Sequence, residues 1–228
     1  VMRSWMQGTS RIPGFLEDYA ALGLGFIAVY QATFDRQWLD RARALCAACV
    51  EWFWSDADGG FFDTAHDHEA LLTRPRDMAD NATPAGSSLA AELLLLVAEY
   101  FGDADARRRA DLVLAQATEL VPRMPLMLGH LLGAADTAVH GAIQVAIAGD
   151  PEAPDTRALR AAVSAQYVPS PVLAGGSGEA VRGLPLFDGR GTTGGRATAY
   201  VCRGYACELP TTDPDVLREQ LGRAARAG

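Results

Sequence analysis

The stretch Thr83-Pro84-Ala85-Gly86-Ser87-Ser88-Leu89-Ala90-Ala91-Glu92-Leu93-Leu94-Leu95-Leu96-Val97-Ala98-Glu99-Tyr100-Phe101 decides the fold class. Thr83 is suited to cap a helix and Pro84 to occupy its first position, so the spacing predicts a helix running to about Phe101. It is apolar nearly all round, the pattern of a helix buried among other elements. Glu92 and Glu99 interrupt the run, and no apolar segment reaches the ~18 residues of a membrane span.

Working outward, the preceding residues repeat at helical spacing. Phe15, Tyr19, Leu22, Phe26 and Tyr30 predict a helix from Glu17 to Thr33. Asp35 is the expected cap of a second, with its stripe on Trp38, Ala42, Leu45, Cys49 and Phe53. Asp56-Ala57-Asp58-Gly59-Gly60 reads as a turn, and Phe61–Thr64 with Ala70–Thr73 as two short strands of a hairpin. Beyond the inner helix, Gly102-Asp103 closes it and caps a fourth helix, Ala104–Val121, and a fifth is expected over Leu126–Asp136. Short connections make these antiparallel helical hairpins.

The pattern changes after Thr137. Ile143, Val145 and Ile147 alternate as a strand, Asp155 is the expected cap of a helix over Thr156–Gln166, and Tyr167–Ala174 reads as another strand. A strand–helix–strand unit implies a parallel pair. Gly175–Gly195 reads as a mobile glycine-rich loop, Ala197–Cys202 as a strand, and Thr212 or Asp213 with Pro214 as the start of a last helix ending near Ala225. The expected organisation is therefore mainly α: helical hairpins over 1–137, then a small α/β subdomain over 138–228.

Composition narrows function. Apolar residues make up 49% and charged ones 21%, which describes a foldable globular chain rather than a disordered one. The formal charge of −8 argues against nucleic acid or an anionic membrane as partner. All 20 basic residues are arginine, which excludes Schiff-base lysines and the Walker phosphate lysine. Four cysteines are too few for a disulfide scaffold, so a cytoplasmic location is expected. No cofactor fingerprint occurs.

Chemistry concentrates in a few places. Glu17-Asp18-Tyr19 lies at the start of the first helix, where unpaired backbone N–H groups favour carboxylates whether or not they act on a ligand. The stretch from Arg74 to Ser88 is densely polar and includes Asp80, Asn81 and Ser87; Asp80 or Asn81 could also cap the inner helix, and Gly86 permits close backbone approach in its first turn. If the first and third helices point the same way, their starts share one rim, and carboxylates facing each other across a rim are what glycoside chemistry needs. Cys46 and Cys49 match CxxC but fall mid-helix, where packing is the better reading. Cys202 and Cys207 follow a strand with Arg203 between them, and are read as structural or as a redox pair. No partner ligands give them zinc spacing, so no metal is expected. His66 and His68 sit in a turn, and His130 and His140 stand alone.

Four segments, in order, carry a resemblance: Ile12-Pro13-Gly14-Phe15-Leu16-Glu17-Asp18-Tyr19-Ala20, Gly59-Gly60-Phe61-Phe62, Arg74-Pro75 with Asp80 to Ser88, and Ala197 to Cys202 with Cys207-Glu208-Leu209-Pro210. The chain resembles the thioredoxin-domain-containing family that includes the spermatogenesis-associated protein and its bacterial relatives. The resemblance implies an N-terminal thioredoxin-like domain, then an (α/α)6 barrel similar to N-acylglucosamine 2-epimerases and six-hairpin glycosidases, then a small C-terminal part. This chain matches only the later hairpins and the C-terminal part, so it is expected to be a partial (α/α)6 toroid from a longer parent. Ala85-Gly86-Ser87-Ser88 departs from the Ser-Gly-Asn-Ser expected of relatives.

The resulting expectation is carbohydrate binding or modification. Asp18 and Asp80 are the acid/base candidates with Glu17 in support, and Tyr19, Arg74, Asn81, Ser87 and Phe62 the ligand-contacting ones. An open half-toroid is expected to be inactive alone, so whether it acts as an enzyme stays open. The competing expectation is a non-catalytic scaffold or client-binding module for the thioredoxin-like domain.

Overall fold

A computed structural model describes residues 1–68, 73–204 and 206–226. The chain begins with an antiparallel pair, β1 (Met2–Met6) and β2 (Thr9–Pro13), every residue of which is exposed. Gln7 and Gly8 between them both have positive φ, at 51° and 78°, as a tight hairpin turn requires. With no buried face there is no apolar alternation to read, so the sequence carries no signal for it.

Two 18-residue helices follow, α1 (Leu16–Thr33) and α2 (Arg36–Phe53), bounded as the periodicity and Asp35 predict. Asp35 accepts from the Gln37 N–H at 3.1 Å. The next hairpin is a correction. It pairs β3 (Trp54–Ser55) with β4 (Gly60–Phe61) across the predicted turn, so of the expected strand Phe61–Thr64 only Phe61 is in a strand, and its expected partner Ala70–Thr73 falls mostly on residues that are not described. Residues 69–72 lie outside the described ones. Gly60 has a packing reason: a Cβ there would collide with the Arg76 guanidinium and the Gln116 amide. Arg76 donates to the Phe61 carbonyl at 3.1 Å, and Gln116 to the Gly59 carbonyl at 2.6 Å.

The inner helix, α3, spans Gly86–Phe101 and starts later than the Thr83-Pro84 signal suggests. Asp80, the alternative cap in the same stretch, rather than Thr83 supplies the acceptor, taking the Ala85 N–H at 2.9 Å. Its apolar composition is matched by burial of Ala90, Ala91, Leu93, Leu94, Leu95 and Val97. A Cβ on Gly86 would lie 3.1 Å from the Glu17 nitrogen, and one on Gly23 would collide with Leu93. Start meets start and middle meets middle, so the first two turns of α1 and α3 run side by side in the same direction.

Helix α4 (Ala104–Ala117) is capped by Asp103 as predicted but ends four residues early, in turns. The fifth helix is displaced: a single 3-10 turn covers Pro125–Met127, and α5 runs Gly129–His140.

The remaining chain builds a four-stranded sheet in the order β6-β5-β7-β8, from β5 (Ile143–Ala148), β6 (Pro171–Gly176), β7 (Thr198–Arg203) and β8 (Ala206–Cys207). The crossover α6 (Pro154–Ser164) makes β5 and β6 parallel, as the strand–helix–strand pattern demands. Asp155 is not its cap but lies in its first turn, tying Thr156 N–H to Ala197 N–H at 3.0 and 2.8 Å. These backbone donors hold its carboxyl below the usual range. The expected mobile loop contains 3-10 turns over Gly178–Val181 and Pro185–Phe187 with Leu186 and Phe187 buried, because apolar side chains anchor it between its glycines. The last helix, α7 (Pro214–Arg226), is capped by Asp213.

The described residues are thus mainly α with a small α/β part. They divide into two units, Val1–Ala28 with Trp38–Ala98 and Asp103–Asp136, and Val29–Gln37 with Glu99–Gly102 and Thr137–Gly228. The second unit has its core on the sheet, where Ile143, Val145, Ile147, Ala199 and Val201 meet Leu159, Val163, Leu217 and Leu221. Phe34 joins that core from a left-handed position (φ 59°). Tyr100 is fully buried, accepts from the Gln31 amide and donates to the Leu173 carbonyl, both at 2.9 Å.

Gly175 faces the Phe34 ring so closely that any Cβ would overlap it. Gly175→Ala should therefore destabilise the second unit by about 1–3 kcal/mol through overpacking. Faster amide hydrogen exchange in β5 and β6 would show it; unchanged protection would mean that the ring has room to move.

Candidate functional site

The segments that decide the first unit converge on the two adjoining helix starts. An α-helix leaves its first four N–H groups without intrahelical partners, so two neighbouring starts create a local excess of donors and positive charge. Acidic side chains and carbonyls answer it. Leu16 N–H donates to the Asp63 carbonyl at 3.0 Å and Phe15 N–H to the Asp18 carboxylate at 2.8 Å. Asp80 takes Ala85 N–H with one oxygen; with the other it takes His130 N–H at 2.8 Å and Leu131 N–H at 3.4 Å. It caps α3 and α5 together.

Each member of the expected acid/base pair makes local contacts at its helix start. Asp18 and Asp80 sit at helix starts as expected, but backbone donors occupy both, and Asp18 is also 3.1 Å from the Arg3 guanidinium. The proposed ligand contacts divide similarly. Tyr19 packs edge-on against Phe53, and burial raises its phenol above the usual value. Ser87 is buried and donates to the Asp77 carbonyl at 2.7 Å. Arg74 bonds the Thr64 carbonyl and stacks over Phe62 at 4.1 Å, with Arg76 near the same ring at 5.3 Å. None of Tyr19, Phe62, Arg74 and Ser87 lines the hollow.

The hollow itself is a cleft of about 410 Å³, lined among others by Arg3, Phe15, Glu17, Asp63, Asp77 and Asn81. Of the expected residues it contains Glu17 and Asn81. Glu17 pairs with Arg3 at 2.6 Å. Asn81 is exposed, and its side-chain amide donates to the Ala79 carbonyl at 3.3 Å. Pro75 and Pro84 add apolar surface, and Thr64 and Thr83 further polar groups.

Asp63 and Asp77 are residues that sequence reasoning passed over. Asp63 follows Gly60-Phe61-Phe62 directly, and only the fold turns it inward. Its carboxyl is raised above the ordinary value, chiefly by burial. The Asp77 N–H, donating at 2.9 Å, opposes that rise; the charges of Asp77 and Glu17 add to it. Neighbouring carboxylates in unlike settings, one half-buried and one ion-paired, are the arrangement from which acid and base roles divide.

Other candidates fall elsewhere. Cys46 and Cys49 are buried and free, with burial pushing the Cys46 thiol up to about 12, so packing is their role. His66 stacks on Trp52 with ring centroids 5.0 Å apart, and His68 on Phe15 at 5.9 Å. Among the described residues no group of three or more His, Cys, Asp or Glu side chains is placed to hold a metal ion. No described helix is long and apolar enough to cross a membrane. Cys202 and Cys207 form a disulfide in the second unit.

No protein-family model matches the chain. It is similar to spermatogenesis-associated protein 20 of Homo sapiens and of Mus musculus, 33% identical in each case over 213 residues. That alignment takes in 91% of this chain and 27% of either protein, so the chain spans about a quarter of their length. An uncharacterized protein of Caenorhabditis elegans is 23% identical over 218 residues, 95% of this chain and 30% of that protein.

Two outcomes test the geometry. Asp80→Ala removes caps from two helices at about 0.5–2 kcal/mol each. It should lower the urea midpoint read from the tryptophan fluorescence of Trp38, Trp52 and Trp54, and an unchanged midpoint would contradict the double cap. A carboxyl raised in the folded state binds its proton more tightly there than when unfolded, so its contribution is present at low pH and is lost as pH rises through the folded value. Relative to the parent, Asp63→Asn should therefore gain stability from the ordinary carboxylate range upward. A stability difference independent of pH would show that Asp63 is not desolvated.

Proposed function

Proceeding from this similarity, which extends over 91% of the chain, we propose that the cleft between the starts of α1 and α3 binds a sugar or similar polyhydroxylated ligand. The carrying observation is the lining itself. Glu17, Asp63 and Asp77 offer acceptors, Asn81 and Thr83 offer donors, and Phe15, Pro75 and Pro84 offer apolar surface for the face of a ring. Glu17 and Asp63 replace Asp18 and Asp80 as the acid/base candidates, with Asp63 the group disposed to hold a proton.

The parallel run of α1 and α3 also supports the finer architectural reading. Inner helices of an (α/α)6 toroid point one way and present their starts to a shared hollow, and α2 and α4 would then be the outer partners. On that reading the chain is one part of a barrel similar to the epimerases and six-hairpin glycosidases, in a protein that also carries a thioredoxin-like domain. Ligand binding without turnover is the behaviour proposed for this chain by itself, with a cytoplasmic location.

A second reading has one observation in its favour. Leu126 is 97% exposed, beside exposed Met124, Met127 and Leu132, an apolar stretch suited to a protein contact. It fits a non-catalytic scaffold for the thioredoxin-like domain.

Isothermal titration against a panel of mono- and disaccharides separates the two. The sugar reading expects saturable binding by at least one member, lost in Asp63→Asn while the variant stays folded. A folded chain that binds none would overturn it in favour of the scaffold.

A further inference from the structure

Arg190 is the residue of the second unit whose position the sugar reading leaves unexplained. Its backbone N–H bonds the Phe187 carbonyl at 3.0 Å, and Nη1 donates to the Leu186 carbonyl at 2.7 Å. Held this way, the guanidinium lies over the Tyr200 ring at 5.8 Å and aims Nη2 at two sulfur atoms, Cys202 Sγ at 3.2 Å and Cys207 Sγ at 3.6 Å. The cysteines face each other across the β7–β8 ladder, in register, and are joined as a disulfide.

A disulfide sulfur is a weak acceptor, and a guanidinium held against it gains little. A thiolate at the same place is a full negative charge and a strong acceptor. The contact therefore favours the reduced state over the oxidised one. Exposure differs as well: Cys202 is buried at 4%, and Cys207 is exposed. A cleft of about 420 Å³ opens on both, lined also by His140, Arg203, Glu208 and Arg223. Glu208 beside Cys207 is clamped by Arg223 through two 3.0 Å bonds, which offsets the carboxylate charge nearest the exposed sulfur.

We propose that Cys202 and Cys207 are a thiol–disulfide exchange site, with Cys207 the sulfur attacked and Arg190 the group that stabilises the departing Cys202 thiolate. The co-reactant is a dithiol. One of its thiolates attacks Cys207 Sγ, forming a mixed disulfide as the bond to Cys202 breaks and the electron pair leaves on Cys202 Sγ beside Arg190. The second thiolate of the co-reactant then attacks its own sulfur in the mixed disulfide and releases Cys207 as a thiolate. Two electrons pass to the chain, the co-reactant ends as a disulfide, and its two protons go to the chain's thiolates or to solvent. Run in reverse, the reduced pair donates to an oxidised partner.

The test equilibrates the whole chain in glutathione buffers of graded thiol-to-disulfide ratio, traps thiols by alkylation and assigns them by mass spectrometry. The pair should titrate reversibly within the range, while Cys46 and Cys49 remain unreactive in the folded chain. Arg190→Met should shift the equilibrium about tenfold toward the disulfide, equivalent to ~30 mV, and Arg190→Lys should recover much of the shift. Independently, Cys202→Ser should form a glutathione adduct at Cys207 faster than Cys207→Ser forms one at Cys202. A pair that stays oxidised at every ratio, a midpoint unmoved by Arg190→Met, or equal adduct rates would each overturn the proposal.

Discussion

Two helix starts lying side by side set the terms for the first unit. Each brings backbone N–H groups that find no partner in their own helix, and their partial positive charges add where they adjoin. Removing either the acceptors or the close approach would undo the arrangement. Gly86 permits the approach because a side chain there would meet the backbone of α1. Asp18, Asp80 and the Asp63 carbonyl then satisfy the donors. Two of the acidic residues that stand out in the sequence, Asp18 and Asp80, are thus held by backbone donors, while Glu17, Asp63 and Asp77 line the hollow.

That competition explains what could and could not be read from the sequence. Helix periodicity located α1 and α2 almost to the residue, because a buried stripe at 3.6-residue spacing leaves a long pattern. The parallel pair β5 and β6 was legible for a similar reason: a crossover helix between two apolar runs has few other solutions. The start of α3 was not, since Thr83-Pro84 is a good local signal and Asp80 outcompetes it only through contacts with Ala85, His130 and Leu131, the last two fifty positions away. The β1–β2 hairpin left no trace because none of its residues is buried.

The site was half legible. Its neighbourhood was visible in the polar stretch from Arg74 to Ser88 and in Glu17, yet the pairing of Asp18 with Asp80 rested on side-chain direction, which spacing does not encode. Asp63 illustrates the point from the other side. A carboxylate after two phenylalanines reads as an ordinary turn residue; its significance lies in being turned inward against Asp77 and Glu17, where burial raises its carboxyl. Arg190 is the same case in the second unit, hidden in a stretch whose glycines suggest a loose loop while Leu186 and Phe187 anchor it.

The absence of lysine from the sequence gives both proposed sites a common character. Every cation is a planar guanidinium that stays charged and presents several donors in a fixed fork. Such groups can steady a developing negative charge, but they supply no amine nucleophile and no proton near neutral pH. Arg3 pairs with Glu17, and Arg190 donates to the paired sulfurs. In the first unit burial raises the Asp63 carboxyl above its ordinary value, which makes it the carboxyl of the proposed site most disposed to hold a proton. In the second unit the proposed chemistry rests on sulfur. The reagents open to this chain are consequently few, and each lies where the local charge suits the reaction proposed for it.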